Sequence, residues 1–172
     1  MFLAKNLILS LFKAIENRNF ELFAELTMQD SNQLHAVCQD TYPPCVYMNP
    51  ISHNIVQLVH EFNRLSKALK VCYTFDAGPN ACLILPKSVV PEFMGLVKHY
   101  FPSDSTEYVQ GIPISEKEPS QPFLDDVIME VQPKDTLRYI ISTEIGGGPK
   151  VVAGNCVEDS THLLNADGLP KK

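Results

Sequence analysis

Near its middle the chain reads Val71-Cys-Tyr-Thr-Phe-Asp-Ala-Gly-Pro-Asn-Ala-Cys-Leu83. A β-rich run, residues 71–75, delivers Asp76 onto a Gly-Pro-Asn turn, and a second apolar run, residues 81–85, follows at once. The pattern predicts two strands joined by a tight loop, which is a frequent setting for catalytic groups. Asp76 is therefore a candidate catalytic carboxylate. The alternative, which the residue types alone favour, is a turn aspartate whose side chain bonds a backbone N–H two residues further on.

Composition bounds the class of protein. A chain of 172 residues is long enough for one domain with a sizeable core, and 45% hydrophobic and 20% charged residues are globular values. The net charge of −6 argues against a nucleic-acid partner, which requires an excess of Lys and Arg. Five cysteines without a CxxC pair, and no convincing secretory signal, favour a reducing compartment, the cytoplasm. The apolar start, residues 1–12, is too short to span a membrane, so no membrane partner is expected.

Apolar periodicity predicts the order of the elements. Helices and strands mix without regular βαβ alternation, which indicates the α+β class. We expect an antiparallel sheet of about four strands with helices on one face, in a ferredoxin-like arrangement. The expected helices cover residues 3–18, 20–40 with Asn19 as cap, 50–69, 88–100 with Ser88 as cap, and 123–131, and the expected later strands cover residues 108–114 and 137–145.

Two further segments stand out. Asp30-Ser-Asn-Gln-Leu-His35 places short polar residues in an otherwise good helix, where their side chains compete for backbone bonds. Either the helix breaks there, or these groups face something, or they form a solvated face, which the residue types slightly favour. Gly146-Gly-Gly-Pro149 could bind phosphate through backbone amides, but no helix pattern or Lys-Ser/Thr pair follows it, so a flexible strand exit is favoured. The histidines lack metal-ligand spacing, and no metal or cofactor site is predicted.

Tyr73-Thr-Phe-Asp-Ala-Gly-Pro-Asn-Ala81 resembles the signature of the diphosphomevalonate decarboxylases. Residues 20–41 are similar to the helical entry to the second half of that enzyme, and Tyr139-Ile-Ile and Asp167-Gly-Leu-Pro170 resemble its closing segments. The resemblance extends from roughly residue 14 to the end. It implies that residues 1–172 form a single domain, the carboxy-terminal half of a decarboxylase from the small-molecule kinase superfamily of galactokinase, homoserine kinase and mevalonate kinase. It also implies that the amino-terminal, ATP-binding half is absent.

The resemblance also implies an activity. This family converts mevalonate 5-diphosphate to isopentenyl diphosphate, using ATP and Mg²⁺, on the mevalonate route to isoprenoids and sterols. Carried onto this chain, Asp76 is the catalytic carboxylate, and Ala77 and Gly78 are substrate-binding positions. ATP and Mg²⁺ belong to the complete enzyme, a homodimer, and the isolated chain is expected to be inactive. The alternative is a non-catalytic binding or dimerisation module that kept the fold and lost the reaction.

Overall fold

The computed structural model of the chain describes residues 2–149 and 169–170. The chain divides into two units, the first ending at Ser142 and the second beginning at Thr143. The described residues of the second unit form no helix and no strand longer than a single bridging residue. In the first unit, helices and short strands mix without βαβ repetition, so the predicted α+β class is confirmed.

Five helices occur among the described residues, and local chemistry explains where they begin. The Asn19 side chain accepts a hydrogen bond from the Leu22 N–H, which caps the second helix as predicted. Asn49 and Ser52 form a capping box at the third helix, with Pro50 in its first turn. None of the helices in the described ranges is long and apolar enough to cross a membrane. The helices are α1 (Phe2–Glu16), α2 (Phe20–Gln39), α3 (Pro50–Ser66), α4 (Val90–Tyr100) and α5 (Gln121–Asp126).

The predicted strand–turn–strand unit is confirmed. Strand β1 (Cys72–Thr74) pairs antiparallel with β2 (Cys82–Ile84), with Tyr73 opposite Leu83. Helices α2 and α3 both contact β1. The buried face of α3 follows the predicted 3.6-residue spacing. Each large apolar side chain that is fully buried adds roughly 1.5–3 kcal/mol to the free energy of unfolding. The buried apolar side chains of the α2–α3–β1 layer are Ala24, Met28, Ile55, Leu58, Val59, Phe62, Val71, Cys72, Tyr73 and Phe75.

The later strands form a second, separate sheet. Strand β3 (Val109–Gly111) pairs with β4 (Ile140–Ser142), and the two strands run parallel. Gly111 has a φ of 86°, and a Cβ at this position would lie 2.2 Å from the Ser142 carbonyl oxygen. Only glycine therefore fits this crossing of the two strands.

The expected four-stranded antiparallel, ferredoxin-like sheet is wrong for the described residues. They contain two two-stranded sheets, and one of these is parallel. Prolines limit the strands, because a proline has no N–H to donate to a ladder. Pro86 follows β2 closely and Pro113 follows β3, so these two strands end after three residues.

The helix boundaries at α4 and α5, among others, differ from the prediction. The N-cap of α4 is Val89, which makes no side-chain cap bond, so the assignment of Ser88 as cap is wrong. The helix expected over residues 123–131 is α5, which ends at Asp126. Beyond it, tertiary hydrogen bonds take the backbone groups that a longer helix needs, since the Ile128 N–H donates to the Glu61 carboxylate. Because this N–H bonds a side chain of α3, α5 does not continue to residue 131.

Candidate active site

Asp76 lies on the loop between β1 and β2, one residue past the buried Phe75, and it is exposed. The Gly78 N–H donates to the Asp76 backbone carbonyl at 2.8 Å, so the main chain itself closes the turn. Within the described residues, the Asp76 carboxylate has no hydrogen-bond or ion-pair partner. The alternative in which this side chain closes an Asx-turn is therefore wrong. The carboxylate is free to meet a ligand.

Helix α2 holds the entry to this loop. The Phe75 N–H donates to Ser31 Oγ at 3.0 Å, and His35 Nε2 lies 3.0 Å from the Phe75 carbonyl oxygen. Because a carbonyl oxygen only accepts, His35 Nε2 carries the proton and donates. Ser31 and His35 are buried, at 2% and 7% exposure, and lie four residues apart on one face of α2. The solvated-face interpretation of residues 30–35 is wrong for these two residues, since they face β1 within a continuous helix.

Helix α3 holds the exit of the loop. The Ser52 hydroxyl lies 2.9 Å from the Pro79 carbonyl oxygen and donates to it, and Ser52 is completely buried. The same side chain belongs to the capping box with Asn49, so its position is fixed by the helix end. The loop around Asp76 is thus anchored at both sides by hydroxyl groups from two different helices. Anchoring of this kind limits the directions in which the carboxylate can point.

Tyr73, in the middle of β1, also contacts both α2 and α3. Its ring is buried, and its hydroxyl donates to Asn32 Oδ1 at 3.1 Å. His60 Nε2 lies 3.3 Å from that hydroxyl oxygen, so α3 also contacts the tyrosine. The spacing of the histidines and serines in the sequence did not predict these hydrogen bonds to β1 and its loop. The one available signal was the run of short polar residues in α2.

Ala77 and Gly78 extend the exposed part of the loop. Ala77 is exposed and Gly78 is half-buried. A Cβ built on Gly78 would meet no atom within 4 Å, so the space beside its backbone is open. A ligand can therefore approach the main chain next to Asp76. The substrate-binding roles of Ala77 and Gly78 stay predictions.

Other features of the described residues lie away from Asp76. One depression is lined by residues at the start of α2 and along the second half of α3, among them Glu21, His60 and Arg64, and it does not include Asp76. Its open form gives little reason to regard it as a substrate site. Gly146 and Gly148 are exposed in the second unit, with open space around them. Cys156, His162 and residues 163–168 lie outside the described residues.

A metal or nucleotide site finds no support in the described residues. They contain no group of His, Cys, Asp or Glu side chains able to hold a metal ion. The described part of the glycine run, residues 146–149, is not helical, so no helix N-terminus is present there to bind phosphate. The assignment of ATP and Mg²⁺ to the complete enzyme stays a prediction.

Comparison with solved structures identifies the class of fold. The chain superposes on mevalonate diphosphate decarboxylase from Trypanosoma brucei with a TM-score of 0.65 at 24% identity, covering 80% of this chain and 37% of that one. It also matches a crystal structure of mevalonate 5-diphosphate decarboxylase with a TM-score of 0.56 and 29% identity, covering 73% of this chain and 36% of that one. Over the matched residues, the fold is that of the mevalonate diphosphate decarboxylases.

Sequence comparison then gives the family. Residues 4–152 match the family model described as the mevalonate 5-diphosphate decarboxylase C-terminal domain. The diphosphomevalonate decarboxylase of Danio rerio is 46% identical over 164 residues, which is 94% of this chain and 40% of that protein. The Homo sapiens relative is 43% identical over 161 residues, covering 92% of this chain and 39% of that protein. The chain belongs to the diphosphomevalonate decarboxylase family, as the resemblance indicated, and spans about 40% of the length of these relatives.

Proposed function

We propose that this chain supplies the catalytic carboxylate for the ATP-dependent decarboxylation of mevalonate 5-diphosphate to isopentenyl diphosphate, with Asp76 as that group. The observation that carries the proposal is the geometry of Asp76, an exposed carboxylate that has no partner within the described residues and lies on a loop held from both sides. Membership of the family supports the choice of reaction. The enzyme so formed belongs to the mevalonate route and acts in the cytoplasm as a homodimer.

Asp76 has one defined task in this proposal. In a complete enzyme, the Asp76 carboxylate would accept the proton of the substrate's tertiary hydroxyl as that oxygen takes the terminal phosphoryl group of ATP and ADP leaves. A carboxylate is a weak base, so the proton moves late, as the new O–P bond forms. Phosphate then departs with the C–O electron pair, and loss of CO₂ supplies the pair that forms the C=C bond. Asp76 then releases this proton to water, and its restored negative charge stabilises the electron-poor carbon during the departure of phosphate.

Ala77 and Gly78 contribute the binding surface beside the carboxylate. The open space at Gly78 allows the substrate to approach the backbone. Because residues 2–149 and 169–170 contain no group of His, Cys, Asp or Glu side chains able to hold a metal ion, we assign binding of ATP, the cation and the diphosphate to the rest of a complete enzyme. Turnover therefore requires more than this chain. We expect the 172-residue chain alone to release no CO₂.

The proposal is tested in an assembled enzyme, defined as this chain joined behind the amino-terminal part of the Danio rerio relative in place of its matched 164 residues. Asp76→Asn preserves shape but cannot take a proton, so kcat should fall about 10²–10⁴-fold. Because the backbone closes the turn, the melting temperature should shift by less than about 2 °C. CO₂ and phosphate release measure kcat, and thermal unfolding measures stability.

Asp30→Asn is the matched control, because Asp30 is an exposed carboxylate on α2. It should leave kcat within about twofold, because Asp30 makes no hydrogen bond to the loop around Asp76 within the described residues. A normal kcat in Asp76→Asn, or an assembled enzyme without turnover, contradicts the proposed function. The second candidate, a non-catalytic interaction module, is favoured by the exposed apolar residues of α1, among them Ile8 and Phe12. That candidate predicts no dependence of any activity on Asp76.

A further inference from the structure

The residue before Asp76 is held in an unusual way. Phe75 lies one residue past Thr74, the last residue of β1 that pairs with β2, so no neighbouring strand supplies its hydrogen bonds. Instead, Ser31 accepts from its N–H and His35 donates to its carbonyl oxygen, each at 3.0 Å. Both partners come from one face of α2. This pair replaces the strand ladder at the point where the chain turns towards the exposed loop.

We infer that Ser31 and His35 are positioning residues that set the direction of the Asp76 carboxylate. The inference rests on the proposed function of Asp76. The Phe75 carbonyl group and the Asp76 nitrogen belong to the same planar peptide unit. The bond from His35 therefore fixes the plane that leads into the Asp76 Cα, and the bond to Ser31 fixes the plane before it. The Gly78 N–H, bonded to the Asp76 carbonyl oxygen, fixes the plane that follows.

The surroundings make these bonds effective. Ser31 and His35 are nearly inaccessible to water, so water does not compete for the Phe75 backbone groups. The His35 ring is itself held edge-on by Phe75 and Tyr47, with ring centroids 6.4 Å away in each case. Packing against the buried Phe75 ring restrains the His35 ring, so its N–H stays directed at the carbonyl group. The carboxylate is thus oriented by groups that never touch the substrate.

Pairs of variants separate the hydrogen bonds from packing. Ser31→Ala removes the acceptor, and Ser31→Thr retains a hydroxyl. His35→Phe keeps a ring in the same space without a donor, and His35→Gln keeps an N–H at the end of a side chain of similar reach. Thr27→Ala is the control, because the Thr27 hydroxyl bonds only the Phe23 carbonyl group within α2.

The first measurement uses the 172-residue chain and requires no activity. Amide hydrogen exchange followed by NMR should show the Phe75 amide, which is bonded to Ser31, exchanging at least ~10-fold faster in Ser31→Ala and His35→Phe, because local opening of the loop becomes easier. Ser31→Thr and His35→Gln should restore slow exchange at Phe75, and Thr27→Ala should not alter it there. Unchanged exchange in both disruptive variants overturns the inference, whatever the enzyme does.

The second measurement uses the assembled enzyme defined above. Ser31→Ala and His35→Phe should lower kcat by ~10-fold to ~100-fold while KM for mevalonate 5-diphosphate changes less than ~2-fold, since misplacement of a catalytic group affects the reaction step. Restoration of kcat by Ser31→Thr and His35→Gln is the readout that a purely structural role does not give. Faster exchange with normal kcat rejects the positioning role alone, whereas a normal kcat in Asp76→Asn rejects the proposed function itself.

Discussion

At the scale of single residues, a catalytic carboxylate has to be free of partners and yet fixed in direction. The chain meets both requirements at Asp76 by placing every tie on the backbone. Ser31, His35 and Ser52 bond main-chain groups of the loop, and none of them bonds the carboxylate. A side chain that closed the turn itself would be held equally well, but it would be unavailable to a substrate. This division of labour between backbone and side chain leaves the Asp76 carboxylate available for the catalytic role that we propose.

Burial also sets the behaviour of the Cys72 thiol. Its burial in β1 raises its pKa from the ordinary 9.0 to about 11, because the low-dielectric surroundings disfavour the thiolate. We expect iodoacetamide at pH 8 to modify the exposed Cys45 and Cys82 in the native chain and to spare Cys72. Peptide mass mapping of the labelled chain gives the order of reaction. Equal labelling of Cys72 and Cys82 in the native state contradicts this expectation.

The same shift makes stability depend on alkaline pH. A raised pKa in the folded state means that the unfolded state loses its proton first. The contribution of the buried Cys72 thiol to the free energy of unfolding is therefore fully present below pH 9.0 and is lost as the pH rises towards about 11. The buried Tyr108 hydroxyl, whose pKa burial raises to about 12, acts in the same direction at higher pH. Cys72→Ala should reduce the decline of the unfolding free energy between pH 9.0 and about 11, and Cys82→Ala should not reduce it.

The sequence located Asp76 but missed the groups that hold it, and the reason is distance along the chain. The strand–turn–strand pattern is local, so it shows that an aspartate follows a strand. Ser31 and His35 are separated from Phe75 by 44 and 40 residues, and no local pattern encodes such a pairing. The run of short polar residues in α2, which is unfavourable in a helix, was the only sign in the sequence of this distant pairing. They persist in the helix because tertiary hydrogen bonds compensate for their poor helix propensity.

At the scale of elements, the joint between α3 and β1 depends on one side chain. Asn63 is buried in the last turn of α3, and its Nδ2 donates to the Val71 carbonyl group at 2.8 Å. Its Oδ1 accepts from the Lys70 N–H at 2.9 Å and the Val71 N–H at 3.1 Å. One amide thus satisfies the backbone of the chain as it enters the strand. This joint fixes where β1 starts relative to the helix beneath it.

We predict that Asn63→Ala lowers the free energy of unfolding by about 3 kcal/mol, because it leaves buried backbone groups of the joint unsatisfied. Chemical denaturation of the 172-residue chain measures the change. Asn54→Ala is the matched control, since the Asn54 amide makes a single bond to the partly buried Gln132 side chain, and it should cost no more than about 1 kcal/mol. Similar losses in the two variants would refute the special role of Asn63.

The pairing of β3 with β4 shows the limit of periodicity at this scale. Alternation correctly placed extended segments near residues 109–111 and 140–142, but it says nothing about which strand pairs with which. The parallel pairing is stabilised in part by the Ile112 N–H, which donates to the Ser142 carbonyl oxygen at 2.9 Å. Two-stranded sheets of this length are marginal alone, so packing against helices decides their arrangement. The expectation of one antiparallel sheet overlooked that dependence.

At the scale of the whole molecule, one face of α1 is conspicuously apolar. Ala14 is buried and α1 contacts α2, so the helix is held to the first unit by one side. On the outside, Ile8, Leu9, Phe12 and Ile15 are each more than half exposed and recur at helical spacing. Apolar surface that gathers along one helix face is costly in water and favours association.

We predict that the chain self-associates through this face. Light scattering of the purified chain across a dilution series should show oligomers that dissociate on dilution. The double variant Ile8→Glu, Phe12→Glu should shift the population to monomer without lowering the melting temperature, because both positions are exposed and Glu is a good helix former. Lys13→Glu is the control, since it changes the net charge by the same two units at another exposed position of α1. If that control dissociates the oligomers equally well, charge repulsion explains the effect and the apolar face does not. A wild-type chain that is monomeric at high concentration rules out self-association through α1.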